Sequence, residues 1–247
     1  EQSLARFRNG SLKKFQAENY STEEMVLSVV GNIPFDKIKY AAEKYFGVIP
    51  QKSRSRERRT PGSVSGKKLI ENRKAYQKHC MLVGPAYALP DQKRLQLYLL
   101  NNILGGPGMN SRLNMALRER RGYSYSAESH YSPYTDTGVM MIYFSCDADK
   151  FGRSMQVTRD EIRKLRSNMI ADKRLSHARK QLMGQLAISR ENNEHHMLTT
   201  AKSYLVFKRV DSLETIRKQL ELITPGMLQD TANEVLDPKI LNTLIFE

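Results

Sequence analysis

Arg118 and Tyr125 are the pair of side chains whose types and spacing could hold a substrate, Tyr125 following Arg118 by seven positions. A guanidinium and a phenol both donate hydrogen bonds, and two donors at a fixed separation can grip a carbonyl oxygen. The same spacing also fits a solvated helix-end cation and an ordinary sheet tyrosine. Other chemistry finds less support. The five histidines are His79, His130, His177, His195 and His196. None forms H-x-x-E-H or H-E-x-x-H, the spacings that set two imidazoles on one helical face beside a carboxylate able to activate water. Glu191, Glu194, His195 and His196 lie close in sequence and could make a weak metal site, but no third ligand is implied, and the preferred reading is a polar helix face. His79 and Cys80 are strand neighbours and point to opposite faces. No G-x-S-x-G elbow is present, and the glycine loop near residue 106 lacks the G-K-[ST] ending of a phosphate-binding loop. Cys80 and Cys146 sit in apolar, strand-like runs where a free thiol behaves as a small hydrophobe. A disulfide between them stays open, and so does the compartment.

The elements that must position Arg118 and Tyr125 lie between Leu104 and Tyr125. Gly105, Gly106 and Gly108 around Pro107 break a helix and make a loop. Asn110 or Ser111 can cap the helix that follows. Leu113, Ala116 and Leu117 give that helix an apolar face, and Gly122 supplies the left-handed residue that ends it. Beyond Gly122 the period becomes two. Tyr123, Tyr125, Ala127, Ser129 and Tyr131 should share one face of a strand, with Ser124, Ser126, Glu128 and His130 on the other.

Loop, helix, Arg-Glu-x-Arg-Gly and tyrosine, in that order, resemble the LGG-x-x-SSRL…LRE-x-RG-x-x-Y stretch of the pitrilysin/insulinase family of zinc peptidases, which includes the mitochondrial processing peptidases. Tyr123 departs from the aliphatic residue usual there. Members of that family resemble clamshells: one half carries H-x-x-E-H, and the other lacks metal and contributes an Arg–Tyr pair that holds the substrate backbone. The resemblance implies that Arg118 and Tyr125 stand at the positions of that pair. It also implies that this chain carries no metal, that zinc belongs to a catalytic half missing here, and that the chain alone does not cleave.

The remainder of the chain alternates helical and strand patterns. Helices are expected from Ser11 to Asn19, after Pro34, from Asp91 to Ile103, from about Phe151, from Ser176 to about Lys208 with a bend near Asn192 and Asn193, after Ser212 and after Thr224. Strands are expected at Met25–Val30, Tyr76–Tyr87, Val139–Cys146 and Ile240–Phe246, the third returning antiparallel beside the strand after Gly122. Leu12–Val30 and Leu228–Phe246 share one pattern of helix, polar turn and strand, as two copies of a unit's closing element would. The net charge of +14 is partly gathered between Lys52 and Arg59. No basic helix with interleaved aromatics accompanies it, so the surface is read as basic and solvated, with no nucleic acid as partner. No apolar run approaches membrane-spanning length.

Together these readings give an α+β fold, a mostly antiparallel sheet with helices packed on one side. Residues 1–49 are expected to be the C-terminal remnant of a zinc-bearing domain, 50–66 a basic linker and 67–247 a complete metal-free domain. By resemblance the chain is the non-catalytic, substrate-binding half of a zinc metalloendopeptidase. Its partners would be a peptide and the zinc-bearing domain, in the same chain or a partner subunit. The alternative is a catalytically inactive member that serves as a binding or assembly subunit.

Overall fold

The computed structural model describes residues 4–53, 61–62, 65–72 and 75–247. Most of the basic run in the expected linker, residues 54–60, lies outside the described residues, as do 63–64. The chain divides into two compact units, Glu1–Arg59 with Ile188–Asp211, and Thr60–Ala187 with Ser212–Glu247.

The second unit is built on a five-stranded sheet. Its strands are β1 (Lys68–Glu71), β2 (Lys78–Ala86), β3 (Ser124–Pro133), β4 (Gly138–Cys146) and β5 (Asn242–Phe246). They lie in the order β1-β5-β2-β4-β3. Every pairing is antiparallel except β1 with β5. The sheet is therefore mixed but mostly antiparallel, as the sequence implied. β1 was not anticipated. It is four residues long, and Leu69 and Ile70 on it are exposed, so it carries too little pattern to stand out from the linker.

One sheet face is the core. Cys80, Leu82, Ala127, Met140, Ile142, Phe144 and Ile245 are buried there. Helices α3 (Arg94–Gly105) and α8 (Pro225–Val235) pack on the sheet, and α4 (Phe151–Ser167) packs on α8. α3 contributes Leu97, Leu99, Leu100 and Leu104, all fully buried. The opposite face carries Met81, Val83, Met141, Tyr143 and Leu244, each only half-buried. Such two-sidedness is the normal economy of an antiparallel sheet with helices on one side.

The long helix expected after Ser176 divides into α5 (Asp172–Glu191) and α6 (Asn193–Phe207). Asn192 makes the break, its side-chain oxygen accepting from the His195 backbone N–H at 2.9 Å. Ser212 caps α7 (Leu213–Glu221) at 3.0 Å, and Thr224 caps α8 at 3.3 Å with Pro225 in the first position. Cys80 and Cys146 are free and buried. Cys80 faces Phe144 and Cys146 faces Lys78, so the thiols are diagonal neighbours. Diagonal Cα atoms lie roughly 7–8 Å apart, beyond the usual span of a disulfide.

The first unit holds α1 (Asn9–Asn19), α2 (Phe35–Phe46) and α6. None of these helices buries a residue. The strand expected at Met25–Val30 is not formed. The run forms no regular element: Met25, Leu27 and Val29 are exposed, Val26, Ser28 and Val30 half-buried, and no ladder pairs with it among the described residues. Its alternation is that of a strand; the missing ingredient is a neighbour to accept its backbone hydrogen bonds. In the similar stretch Leu228–Phe246 those neighbours exist, because β5 lies between β1 and β2. The turn before the run is anchored: Ser21 Oγ donates to the Lys52 carbonyl, and the Lys52 N–H donates to Thr22 Oγ1, each at 2.7 Å.

Candidate functional site

The stretch around Arg118 and Tyr125 starts where α3 ends. A Cβ on Gly105 would lie 2.5 Å from the Ser129 nitrogen, so only glycine lets the helix end approach β3 this closely. The residues expected to cap the next helix are engaged sideways. Asn110 donates through Nδ2 to Gln181 Oε1 at 2.8 Å, and Ser111 Oγ accepts from Asn114 Nδ2 at 2.9 Å. The helix then runs on Leu113, Ala116 and Leu117, all buried, as their spacing implied.

From Asn114 to Glu119 this helix is π-wound. The Arg120 N–H reaches back five residues to the Met115 carbonyl at 3.1 Å. Gly122 closes it with φ +58°, and two nested bonds seal the end: Gly122 N–H to Arg118 O at 2.9 Å and Tyr123 N–H to Leu117 O at 2.8 Å. π-Helical turns are uncommon and recur at functional sites.

β3 does not alternate as simply as expected. Ser124 pairs with Cys146 and Ser126 with Ser145, so two steps on β3 match one on β4. Tyr125 is the extra residue of this β-bulge. Ser124 turns inward and is buried, its hydroxyl 2.6 Å from the carbonyls of both Ser126 and Ser145. Tyr125 is thrown outward and is 83% exposed. The expectation that Tyr125 shares a face with Ala127, Ser129 and Tyr131 is therefore corrected: those three are buried, and Tyr125 sits on the side of Glu128 and His130.

Arg118 and Tyr125 thus stand on either side of the Gly122 turn, both open to solvent, with no hydrogen bond joining them among the described residues. Arg118 Nε is 3.5 Å from Glu119 Oε1, with half of the Arg118 side chain exposed. An exposed pair of that kind contributes little and leaves the guanidinium able to exchange partners. Lys150 adds a second cation nearby. Its hydrogen bond to Asp147 raises its pKa, and the Tyr125 phenol contributes weakly in the same direction. On the open sheet face His79 Nδ1 lies 2.7 Å from the Tyr143 hydroxyl, and His130 Nε2 lies 3.2 Å from Glu128 Oε2. Sequence periodicity could not single out Ser124, whose hydroxyl locks the bulge; its type and spacing match a plain outward serine.

The residues present do not fit a catalytic zinc. Among the described residues no three His, Cys, Asp or Glu side chains gather as a metal would require. His195 and His196 lie in the first turn of α6 and Glu191 ends α5; Glu191, Glu194 and His195 are exposed. Nor is any helix among the described residues long and apolar enough to cross a membrane.

With that geometry in hand, similarity to known proteins is informative. A family model described as the peptidase M16 inactive domain matches residues 6–182. The chain is 29% identical over 235 residues to an uncharacterized zinc protease of Bacillus subtilis, YmxG, covering 95% of this chain and 57% of that one. A crystal structure of a peptidase M16 inactive domain from Pseudomonas fluorescens superposes with TM-score 0.88 at 21% identity, covering 99% of this chain and 59% of that one. A protease from Helicobacter pylori superposes with TM-score 0.86 at 17% identity, covering 100% and 60%. The chain spans little more than half the length of these relatives.

Proposed function

Because the chain belongs to the family of peptidase M16 inactive domains, we propose that it is the substrate-gripping half of a zinc endopeptidase, in which Arg118 and Tyr125 hold the peptide backbone. The observation that carries this reading is the bulge at Tyr125. A large aromatic residue left 83% exposed gains nothing from burial, and the fold uses an irregular ladder to expose it. Bulges next to active sites serve to re-aim a side chain in this way. In this reading Arg118, at the end of the π-helical segment before the Gly122 turn, would be the second donor. An extended peptide exposes carbonyls along one edge, and two such donors would fix its register.

In this reading the zinc and the activated water belong to a separate half, in the same chain or a partner subunit. Residues 1–49 are the end of that zinc-bearing domain, 50–66 the linker and 67–247 the metal-free domain. The exposed apolar side chains of α1, α2 and Met25–Val29 support this, since they make no core of their own.

The test is turnover of a peptide by the intact enzyme. Losing one charged or phenolic bond to substrate costs about 1–3 kcal/mol, on the order of ten- to hundredfold in rate. Arg118→Ala and Tyr125→Phe should each lower kcat/KM by that factor. Arg153→Ala, which removes an exposed cation of α4, should leave it unchanged. Unaltered cleavage by both site variants, or an equal loss in Arg153→Ala, would refute the proposal.

A further inference from the structure

A second site lies within the sheet-bearing unit, behind the helix that carries Arg118. A cavity of about 410 Å³ opens between α3, the π-helical segment, α4 and the first turns of α5. Its charged lining is unbalanced. Arg112, Arg120, Lys164 and Arg174 face it together with a single carboxylate, Glu161, and His177. Glu161 is already occupied: Lys164 Nζ lies 2.6 Å from Oε1 and Arg112 Nη1 lies 3.8 Å from Oε2. Arg120 and Arg174 have no acidic partner among the described residues. Burial, more than the like charge of Arg174, pushes the Arg112 guanidinium below its ordinary pKa, and Glu161 only partly offsets this. Arg112 is thus a partly desolvated cation in a surplus of positive charge.

We propose that this cavity binds a multiply charged phosphate, of the size of pyrophosphate or a small phosphorylated metabolite. Three features select that class. The three guanidiniums come from separate positions: before the π-helical segment, after it, and on α5. Planar forks arriving from several directions suit a tetrahedral phosphate, whose oxygens point several ways, better than a carboxylate with two coplanar oxygens. A phosphate group also brings nearly two negative charges at neutral pH, against one for a carboxylate, and so answers the surplus with fewer atoms. The walls, finally, hold neutral donors beside the cations, Asn102, Asn110 and Gln181, which would hydrogen-bond further oxygens. Asn110 already donates to Gln181, tying the turn after the glycine loop to α5. A ligand there would pin Arg120 to Arg174 and brace the π-helical segment from behind. The site neither uses Arg118 or Tyr125 nor depends on the role proposed for them.

Isothermal titration of the intact protein with pyrophosphate, and separately with citrate, tests the proposal. Because the chain carries a net charge of +14, nonspecific attraction must be separated from the cavity. The Arg120→Ala/Arg174→Ala double variant removes two cavity cations that make no ion pair among the described residues, so the fold should persist, which circular dichroism checks. A Lys13→Ala/Arg153→Ala variant removes the same charge from exposed sites elsewhere. The expected result is saturable binding of about one pyrophosphate per chain, weakened at least about tenfold in Arg120→Ala/Arg174→Ala and unchanged in the control. No saturable binding, equal weakening in the control, or no weakening in the cavity variant would overturn the site. Citrate binding as tightly as pyrophosphate would overturn the phosphate assignment.

Discussion

A thiol reacts as its thiolate, and the two cysteines of this chain are held away from that form. Burial pushes the Cys80 thiol up to about 12, with a like-signed contribution from Cys146 opposed by Arg159. At pH 8 the Cys80 thiol therefore stays protonated, and only 1% of the residue is exposed. Neither cysteine of the native protein should react with a disulfide reagent at pH 8, whereas both should react in denaturant. Prompt native labelling of either would contradict the packing. Gly122 makes a second case at this scale. Its φ of +58° lies in the left-handed region, and nothing lies within 4 Å of an added Cβ. Gly122→Ala therefore isolates backbone strain, and should cost about 1–2 kcal/mol, seen as a lower denaturation midpoint. An unchanged midpoint would mean the turn relaxes, and Arg118 would then not be fixed relative to Tyr125. All three residues were legible in the sequence: Gly122 as a helix end, the cysteines as strand-embedded thiols.

Elements were legible wherever local chemistry decided them. Asn192, Ser212 and Thr224 mark helix starts because their side chains accept backbone N–H groups, which is a local property. The β3–β4 hairpin and the apolar face of Leu113, Ala116 and Leu117 followed from periodicity in the same way. What periodicity cannot see is a one-residue slip. The bulge at Tyr125 and the π-winding between Asn114 and Glu119 each shift the period by about one residue, and both occur in the candidate site. Local rules failing there is what a functional site would produce, since it trades regularity for aim. The Met25–Val30 run fails for another reason: its strand state depends on neighbours that its own residues cannot supply. Apolar and in no ladder among the described residues, such a run invites pairing with another chain. The isolated chain should self-associate, and Leu27→Lys/Val29→Lys, which charges its exposed side, should reduce the associated fraction. Light scattering showing a monomer before and after substitution would remove this element from consideration.

At the scale of the molecule, the two units differ in how they bury themselves. The sheet-bearing unit has one continuous core between a face of its sheet and the helices α3, α4 and α8. The other unit leaves Phe7, Leu12, Phe15 and Phe35 exposed and buries nothing in its helices. Hydrogen exchange on α1, α2 and residues 25–30 should be fast in this chain alone. It should slow markedly once the zinc-bearing half is present, if that half supplies their cover. The central claim, that this half grips substrate beside the Gly122 turn, is open to one direct measurement. A photo-crosslinking amino acid replaces Tyr125 in the intact enzyme, with metal removed so that a labelled peptide binds without being cut. The same group at Tyr76, which is 97% exposed, serves as the control. The account predicts that the peptide is captured at position 125, that unlabelled peptide competes, and that position 76 captures none. Equal capture at both positions, or none at 125 while the peptide is bound, would contradict it.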